Sequence, residues 1–208
     1  MTKALIFDLD GTLWDASVPI TEAWRIVGRK FFGENYSLTV DKVRSLMGKT
    51  MAEIAEALTP EGTKPNVASS FAEECFSYER DYLVNHPGKL FPHELETLHE
   101  LAKDHHLFIV SNCQAGYIET FLPLAPGLFL DHKCWSDTRK EKDVTIRLLM
   151  SLHHIDEAIY IGDTEKDEKA SRAAGIKFVH AAYGFGGAIS PDASARSFSD
   201  LVSCLRAL

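Results

Sequence analysis

The chain of 208 residues has a shortage of positive charge and of cysteine. It carries 22 Lys and Arg residues against 30 Asp and Glu residues, a formal net charge of −8 at pH 7. An acidic surface repels nucleic acid and anionic membranes, so we expect neither as a partner. The four cysteines (Cys75, Cys113, Cys134 and Cys204) are scattered and contain no CxxC pair. This composition predicts reduced thiols and an intracellular, cytoplasmic protein.

The sequence also lacks long hydrophobic runs. No apolar stretch approaches the roughly 20 residues that a membrane-spanning helix requires, and the sequence opens on a strand-like segment without a charged and apolar leader. We therefore expect no membrane segment. Hydrophobic residues make up 45% of the chain and charged residues 25%, which is ordinary for a folded protein.

The chemistry that is present begins at the end of the first predicted strand. The apolar residues 4–7 are followed by Asp8-Leu9-Asp10-Gly11-Thr12. Residues i and i+2 of an extended chain face the same way, so Asp8 and Asp10 can converge on one point beyond the strand. One carboxylate can act as a nucleophile, its neighbour can transfer protons, and a hard cation can bridge them. The alternative is an Asp-Gly turn that contains an incidental acid.

The rest of the sequence divides into a helical block and an alternating block. Residues 18–87 show only helical patterns, whereas helical and strand patterns alternate from residue 88. The predicted helices cover residues 20–32, 40–47, 51–58, 67–84, 93–103, 115–121, 144–152, 165–174 and 200–207. Strands are predicted over 107–110, 158–161 and 177–181, with a short apolar stretch at 132–135. Such alternation predicts right-handed βαβ units and a parallel sheet.

The first strand belongs with the later ones, so the helical block is an insertion. We predict the α/β class, with a Rossmann-like parallel sheet core formed by residues 1–15 and 88–208 and an inserted helical cap formed by residues 16–87. The cap would lie over the carboxyl ends of the strands, where open α/β sheets bind ligands.

Polar residues follow two later strands at the same edge of the predicted sheet. Ser111 and Asn112 end the strand 107–110, where a hydroxyl, an amide and the N–H groups of a helix start could bind an anion. A plain helix cap is the alternative. Asp163 and Asp167 follow the strand 158–161 and are spaced to hold Mg²⁺. A capping box of Thr164 and Asp167 is the alternative there, and it does not account for Asp163.

Two lysines precede the helix at residues 144–152. Either Lys140 or Lys142 could reach the strand ends and neutralise a bound phosphate or the attacking carboxylate. A cation near a helix start opposes the helix dipole, so a structural reason for a lysine there is weak.

These motifs occur in the order Asp-x-Asp-Gly-Thr, Ser-Asn, Lys and Gly-Asp-x-x-x-Asp, each at a strand end. The chain thereby resembles the haloacid dehalogenase-like hydrolase superfamily over nearly its whole length. Within it, the chain is similar to the phosphoglycolate-phosphatase-like branch, which carries a helical cap between its first two motifs. The segment Leu90-Phe91-Pro92 also resembles the return from cap to core in that branch, although His93 stands where a glycine is usual.

The resemblance implies a Mg²⁺-dependent phosphatase that hydrolyses a small phosphorylated metabolite. Asp8 would attack phosphorus and carry an aspartyl-phosphate, and Asp10 would act as general acid and base. The resemblance further implies a metal site at Asp8, Asp163, Asp167 and the backbone carbonyl of Asp10. Phosphate oxygens would be held by Ser111, Asn112 and a lysine, for which Lys142 fits the usual spacing and Lys140 is the alternative.

Two other functions remain open at this stage. A sugar-phosphate mutase of the same superfamily shares every catalytic residue, and a regulatory or binding protein could keep the fold without turnover. The metal-free dehalogenases lack the second aspartate, so their reaction is disfavoured by Asp10. The sequence leaves the substrate and the oligomeric state open. Arg44 and Lys49, which flank Gly48 in the predicted cap, are candidates to contact the distal part of a substrate.

Overall fold

A six-stranded parallel sheet forms the centre of the structure, a computed structural model that describes residues 3–208. The strands lie in the order β3-β2-β1-β4-β5-β6, and each neighbouring pair is parallel. They cover, in chain order, Lys3–Phe7 (β1), His106–Ser111 (β2), Phe129–Cys134 (β3), Glu157–Gly162 (β4), Lys177–Ala181 (β5) and Ala193–Ala195 (β6). The predicted α/β class with a Rossmann-like sheet is thereby confirmed.

Ten α-helices accompany the sheet in the described part of the chain. They cover Ser17–Phe32 (α1), Val40–Arg44 (α2), Met51–Leu58 (α3), Pro65–Asn85 (α4), Glu94–Leu101 (α5), Ile118–Phe121 (α6), Trp135–Thr138 (α7), Lys142–Leu152 (α8), Glu165–Ala174 (α9) and Asp200–Arg206 (α10). A short 3₁₀ helix, Leu122–Leu124, follows α6. None of the helices described here is long and apolar enough to cross a membrane.

The central strand β1 is buried on both faces because helices cover both sides of the sheet. Its side chains alternate, so Leu5 and Phe7 enter one hydrophobic cluster while Ala4 and Ile6 enter the other. Continuous apolar runs of this kind are typical of strands in parallel sheets. The buried strand holds the residues that follow it, starting with Asp8, in a fixed position.

Helices α1 to α4 pack against one another between β1 and α5. Their interior contains a group of aromatic rings, in which the centroid of Phe71 lies 5.5 Å from Phe31, 4.8 Å from Phe32 and 5.9 Å from Tyr36. The chain enters and leaves this group side by side. The N–H of Asp15 donates to the carbonyl of Lys89 at 2.8 Å, and the N–H of Lys89 donates back at 3.0 Å.

The structure differs from the predicted elements where polar residues obscure the pattern. Strand β3 begins three residues before the predicted apolar stretch, because its Asp-His-Lys segment lies at a half-exposed sheet edge. Strand β6 and helix α7 are short and carry no apolar run, so they were not predicted. Helix α5 begins after His93, whose φ of 62° lies in the left-handed region, at the position where the resembled family usually has glycine.

Candidate active site

The predicted site residues follow three adjacent strands of the sheet. Asp8 follows β1, Ser111 ends β2 and Asp163 follows β4, and the strand order places β1 between the other two. The carboxyl ends of parallel strands share one edge of the sheet, so these side chains converge there. Asp167 reaches the same point from the first turn of α9, and Lys142 reaches it from the first turn of α8.

Three buried carboxylates form the centre of the site. Each of Asp8, Asp163 and Asp167 offers an oxygen, and these oxygens all lie within 4.8 Å of one another. Burial raises the pKa of Asp8, and the negative charge of Asp167 raises it further. Burial, with the charge of Asp167, likewise raises the pKa of Asp163 to about 7. Carboxylates held this closely repel one another unless a cation lies between them.

Lys142 supplies the one positive charge within this cluster of described side chains. Its Nζ lies 2.9 Å from Oδ1 of Asp8 and 2.6 Å from Oδ1 of Asp167, and the residue is only 6% exposed. Burial lowers the pKa of Lys142, but the charges of Asp167 and Asp8 outweigh burial and hold that pKa well above its usual range. Lys140 is exposed. Of the two candidate lysines, the structure brings Lys142 into the site.

Asp163 is held by the glycine-rich loop of residues 184–187, which follows β5. Its Oδ2 accepts hydrogen bonds from the backbone N–H groups of Phe185 (2.8 Å) and Gly186 (3.2 Å). A side chain at Gly184 would come within 2.4 Å of Asp163, so the close approach of this loop requires glycine. The other oxygen, Oδ1, is buried and has no hydrogen-bond partner among the described residues. Such an orphaned oxygen favours a cation ligand nearby.

Asp167 forms the capping box that the sequence offered as an alternative, and it also belongs to the carboxylate cluster. Its Oδ2 accepts from the backbone N–H of Thr164 at 3.1 Å, and the Thr164 hydroxyl accepts from the N–H of Asp167, which completes a capping box for α9. Its Oδ1 points to Lys142. The capping box therefore orients a carboxylate that also belongs to the site.

The donor set suits a hard divalent cation. All-oxygen ligation by carboxylates is typical of Mg²⁺, and three acidic groups face a single lysine in this cluster. The Oδ1 atom of Asp163 has no hydrogen-bond partner among the described residues, so it can serve as a ligand for such an ion. These residues therefore fit the metal that the resemblance implies.

Asp10 is fixed by two donors that the sequence did not identify. The hydroxyl of Tyr117 donates to its Oδ1 at 2.7 Å, and the indole Nε1–H of Trp14 donates to the same oxygen at 2.9 Å. Because both donors bind Oδ1, the other oxygen is left for proton transfer. Burial raises the pKa of Asp10 to about 6, although Tyr117 and Trp14 each oppose that rise. This value suits a group that both donates and accepts protons near neutral pH.

Ser111 and Asn112 lie at the site, but no helix begins there. Helix α6 starts only at Ile118, so residues 112–117 form a loop, and the predicted helix start at this point is wrong, together with the helix-cap alternative. Ser111 lines the central cavity. The side-chain amide of Asn112 donates to the carbonyl of Gly48 at 3.3 Å, which connects it to the turn between α2 and α3.

A narrow cavity separates the carboxylates from helices α1, α3 and α4. Lys49 lines it and is the single basic residue among the described lining residues. Arg44 does not reach the cavity, since its guanidinium contacts Asp15 at 2.7 Å and Ser17 at 3.1 Å. Five side chains give the cavity an apolar wall, namely Ile20, Trp24, Met47, Met51 and Ile54.

Residues 5–181 match the model of a family described as haloacid dehalogenase-like hydrolases. The chain belongs to this family. It is 28% identical to a phosphoglycolate phosphatase from Rhodobacter capsulatus over 86% of this chain and 84% of the relative. It is 29% identical to a phosphoglycolate phosphatase from Photorhabdus laumondii over 98% of this chain and 92% of the relative.

A solved structure shares the whole fold. It is a haloacid dehalogenase-like family hydrolase from Streptococcus pneumoniae, with a TM-score of 0.84, 23% identity and 98% coverage of each chain. The predicted membership in the haloacid dehalogenase-like superfamily, in its phosphoglycolate-phosphatase-like branch, is confirmed. The predicted enzyme class, a hydrolase of phosphoric monoesters, is confirmed as well.

The haloacid dehalogenase-like site of this chain also contains residues that no motif indicated. Tyr117 lies 107 residues from Asp10 in sequence, and Glu79, a buried acid of α4, lines the same cavity. A helical pattern cannot tell a glutamate that faces a cavity from one that faces solvent. Of these added site residues, Trp14 is the one that lies close to Asp10 in sequence, four residues after it.

Proposed function

We propose that the protein is a Mg²⁺-dependent phosphatase that hydrolyses a small phosphorylated metabolite through an aspartyl-phosphate on Asp8. One observation carries the proposal. The ammonium group of Lys142 lies between Asp8 and Asp167, and the third carboxylate of this cluster, Asp163, has an orphaned oxygen. Catalysis of phosphoryl transfer consists mainly of positioning and charge neutralisation. This cluster supplies a positioned nucleophile together with the positive charge that an incoming phosphate needs.

In the first step, an oxygen of Asp8 attacks phosphorus and the bond from phosphorus to the leaving alcohol breaks. Asp10 protonates that leaving oxygen, with its carboxyl orientation fixed by Tyr117 and Trp14. In the second step, Asp10 takes a proton from water, whose oxygen attacks the aspartyl-phosphate. Inorganic phosphate leaves and Asp8 is restored. Lys142 and Ser111 would hold the phosphate oxygens throughout, with Asn112 at the edge of the same group.

Asp8, Asp163, Asp167 and the backbone carbonyl of Asp10 would hold Mg²⁺. When bound, the ion supplies charge neutralisation at the phosphoryl oxygens. Lys142 would share that role at Asp8, and the glycine-rich loop would keep Asp163 in position.

We also propose the domain division predicted from the sequence, a core of residues 1–15 and 88–208 and a cap of residues 16–87. The mutual packing of α1 to α4 and the isolated antiparallel bridge between Asp15 and Lys89 support it. The partner would be a phosphorylated metabolite small enough for the cavity, and the names of the relatives make phosphoglycolate a candidate. We further propose that the protein is cytoplasmic.

The test is a panel of phosphomonoesters assayed for released phosphate, first with Mg²⁺ and then with the metal chelated. We expect release that depends on Mg²⁺, and we expect Asp8→Asn to abolish it because an amide cannot attack phosphorus. Residual activity of Asp8→Asn above about 1% of wild type would contradict the covalent route, whose loss costs several kcal/mol. Exposed Asp41 offers a matched control, since Asp41→Asn changes the same atoms away from the cavity.

The same panel separates the rival functions. A sugar-phosphate mutase would convert a phosphosugar to its isomer and release little phosphate, whereas a binding protein would release none. The presence of both Asp8 and Asp10 in one buried site, with a lysine bound to Asp8, favours an enzyme over a binding protein.

A further inference from the structure

Glu79 is a buried acid in the wall of the cavity, on the side formed by helix α4. It is 3% exposed and lines the same cavity as Asp8 and Asp10. Its Oε2 accepts a hydrogen bond from the indole Nε1–H of Trp24. A buried carboxyl is costly unless it serves packing or binding, and the reaction described above makes no use of this one.

The surroundings of Glu79 lack the charge that a second anionic group would need. Lys49 is the one basic residue among the described residues that line the cavity, and Arg44 is occupied by Asp15. The neighbouring wall is apolar. Burial raises the pKa of Glu79 to about 8, and the negative charge of Asp10 contributes to that rise. An anion entering this region would meet the charge of Asp10 and would raise the pKa of Glu79 further, with Lys49 as the one cation among the described lining residues.

The cavity wall also offers groups that recognise hydrogen-bond donors. Glu79 presents a carboxyl, and Gln114 adds an amide that lines the same cavity. Glu79 and Asp8 line the same narrow cavity, so a leaving group of a few carbon atoms would reach this wall once its phosphate lies at Asp8.

We propose that Glu79 selects phosphomonoesters whose leaving group carries a hydroxyl or an amine and no second anionic group. The inference rests on the proposed function, because it names the substrate class of the same site. A donor on the leaving group would bind the Glu79 carboxyl, while a carboxylate there would meet Glu79 and Asp10 with Lys49 as the single cation. The chain would then differ in preference from a phosphoglycolate phosphatase.

The experiment compares three two-carbon phosphomonoesters that differ only at the distal group. These are 2-hydroxyethyl phosphate, 2-aminoethyl phosphate and phosphoglycolate, with nitrophenyl phosphate as a reference for the chemistry. We expect kcat/KM for the hydroxyl or the amine ester to exceed that for phosphoglycolate by roughly tenfold or more, the usual effect of a hydrogen bond to a charged or buried carboxyl. The two donor esters distinguish an uncharged from a cationic leaving group.

Glu79→Gln keeps an oxygen for Trp24 and removes the acid, so it should reduce that preference over phosphoglycolate by roughly tenfold. Glu73→Gln, on the exposed side of the same helix, is the matched control and should leave the ratio unchanged. A wild type that prefers phosphoglycolate, or a ratio that Glu79→Gln leaves unaltered, would overturn the inference while phosphatase activity stands. If none of the four esters is hydrolysed, the proposed function is overturned and this inference with it.

Discussion

Replacing Lys142 with methionine removes the cation that holds the buried carboxylates together. Its Nζ contacts Asp8 at 2.9 Å and Asp167 at 2.6 Å, and all three side chains are buried. Removing one partner of a buried ion pair leaves uncompensated charge and typically destabilises a protein by about 3–5 kcal/mol. For a chain of this length, each kcal/mol lowers Tm by about 2–4 °C. We therefore expect Lys142→Met to lower Tm by about 6–20 °C at pH 8.

The loss of stability should depend on pH with a definite sign. Burial already raises the pKa of Asp8, and Lys142 opposes that rise. Without Lys142, the Asp8 carboxyl of the folded state keeps its proton at pH values where the same carboxyl of the unfolded chain, with a pKa of about 4, has already lost it. The folded state then binds more protons than the unfolded state, so its stability falls as pH rises. Because the pKa of Asp8 is about 8 with Lys142 present and higher without it, the deficit of Lys142→Met should be smallest near pH 5 and should grow as pH approaches 8 and rises above it.

Thermal unfolding of wild type and variant between pH 5 and pH 8 measures this effect. Lys140→Met is the control, because Lys140 is two residues away and exposed, and we expect its Tm to change by less than about 2 °C. Phosphate release should be lost in Lys142→Met and kept in Lys140→Met. Equal effects of the two substitutions, or a deficit that grows toward low pH, would refute the reasoning.

Three further predictions concern other parts of the chain. Tyr117→Phe removes the hydroxyl that donates to Asp10 at 2.7 Å. The value of kcat should fall by about tenfold for substrates with poor leaving groups and by less for nitrophenyl phosphate. An equal loss for both kinds of substrate would argue against a role of Tyr117 in positioning Asp10. Asp163→Ala should raise the Mg²⁺ concentration for half-maximal activity, whereas a helix-capping role alone would cost about 1 kcal/mol of stability and leave that concentration unchanged. Burial raises the pKa of Glu94 from 4.5 to about 8, so between these pH values the folded state keeps a proton that the unfolded chain has released. The stability of the folded state therefore falls as pH rises through this range, and Glu94→Gln, which removes the ionisable group, should raise Tm at pH 9. A gain in Tm equally large at pH 5 would contradict this assignment.

The residues that the sequence identified share one property. Asp8, Asp163 and Lys142 each lie within two residues of the boundary of a strand or helix whose hydrophobic period is clear. Because parallel strands end at one edge of the sheet, the positions of the boundaries were enough to predict that these side chains meet. The choice between the two lysines depended on where helix α8 begins. Lys142 is the first residue of α8 and is buried, whereas Lys140, two residues earlier, is exposed.

The residues that the sequence missed act across long separations. Glu79 meets Trp24 from 55 residues away, and Tyr117 meets Asp10 from 107 residues away. Such contacts depend on how α4 packs on α1 and on where the turn after β2 leads. The hydrophobic periodicity predicts that a helix is present. It does not predict how that helix is rotated about its axis, and therefore which of its polar side chains faces a neighbouring element. The place of Glu79 in the cavity wall, beside Asp8 and Asp10, could therefore be recognised only in the folded structure.

The contacts between α1–α4 and the sheet are of a kind that can break without unfolding either part. Glu53 of α3 pairs with Lys166 of α9 at 2.8 Å, and both side chains are nearly half exposed. Exposed pairs of this kind contribute about 0–1 kcal/mol, and the Asn112 bond to Gly48 is long at 3.3 Å. The aromatic interior around Phe71, by contrast, lies wholly among α1, α4 and the segment that joins α1 to α2. Separation along this boundary would expose the cavity and leave the aromatic group around Phe71 intact, but it would divide the hydrophobic cluster that runs from the sheet into α1–α4. Such opening is what entry of a substrate to a buried Asp8 requires.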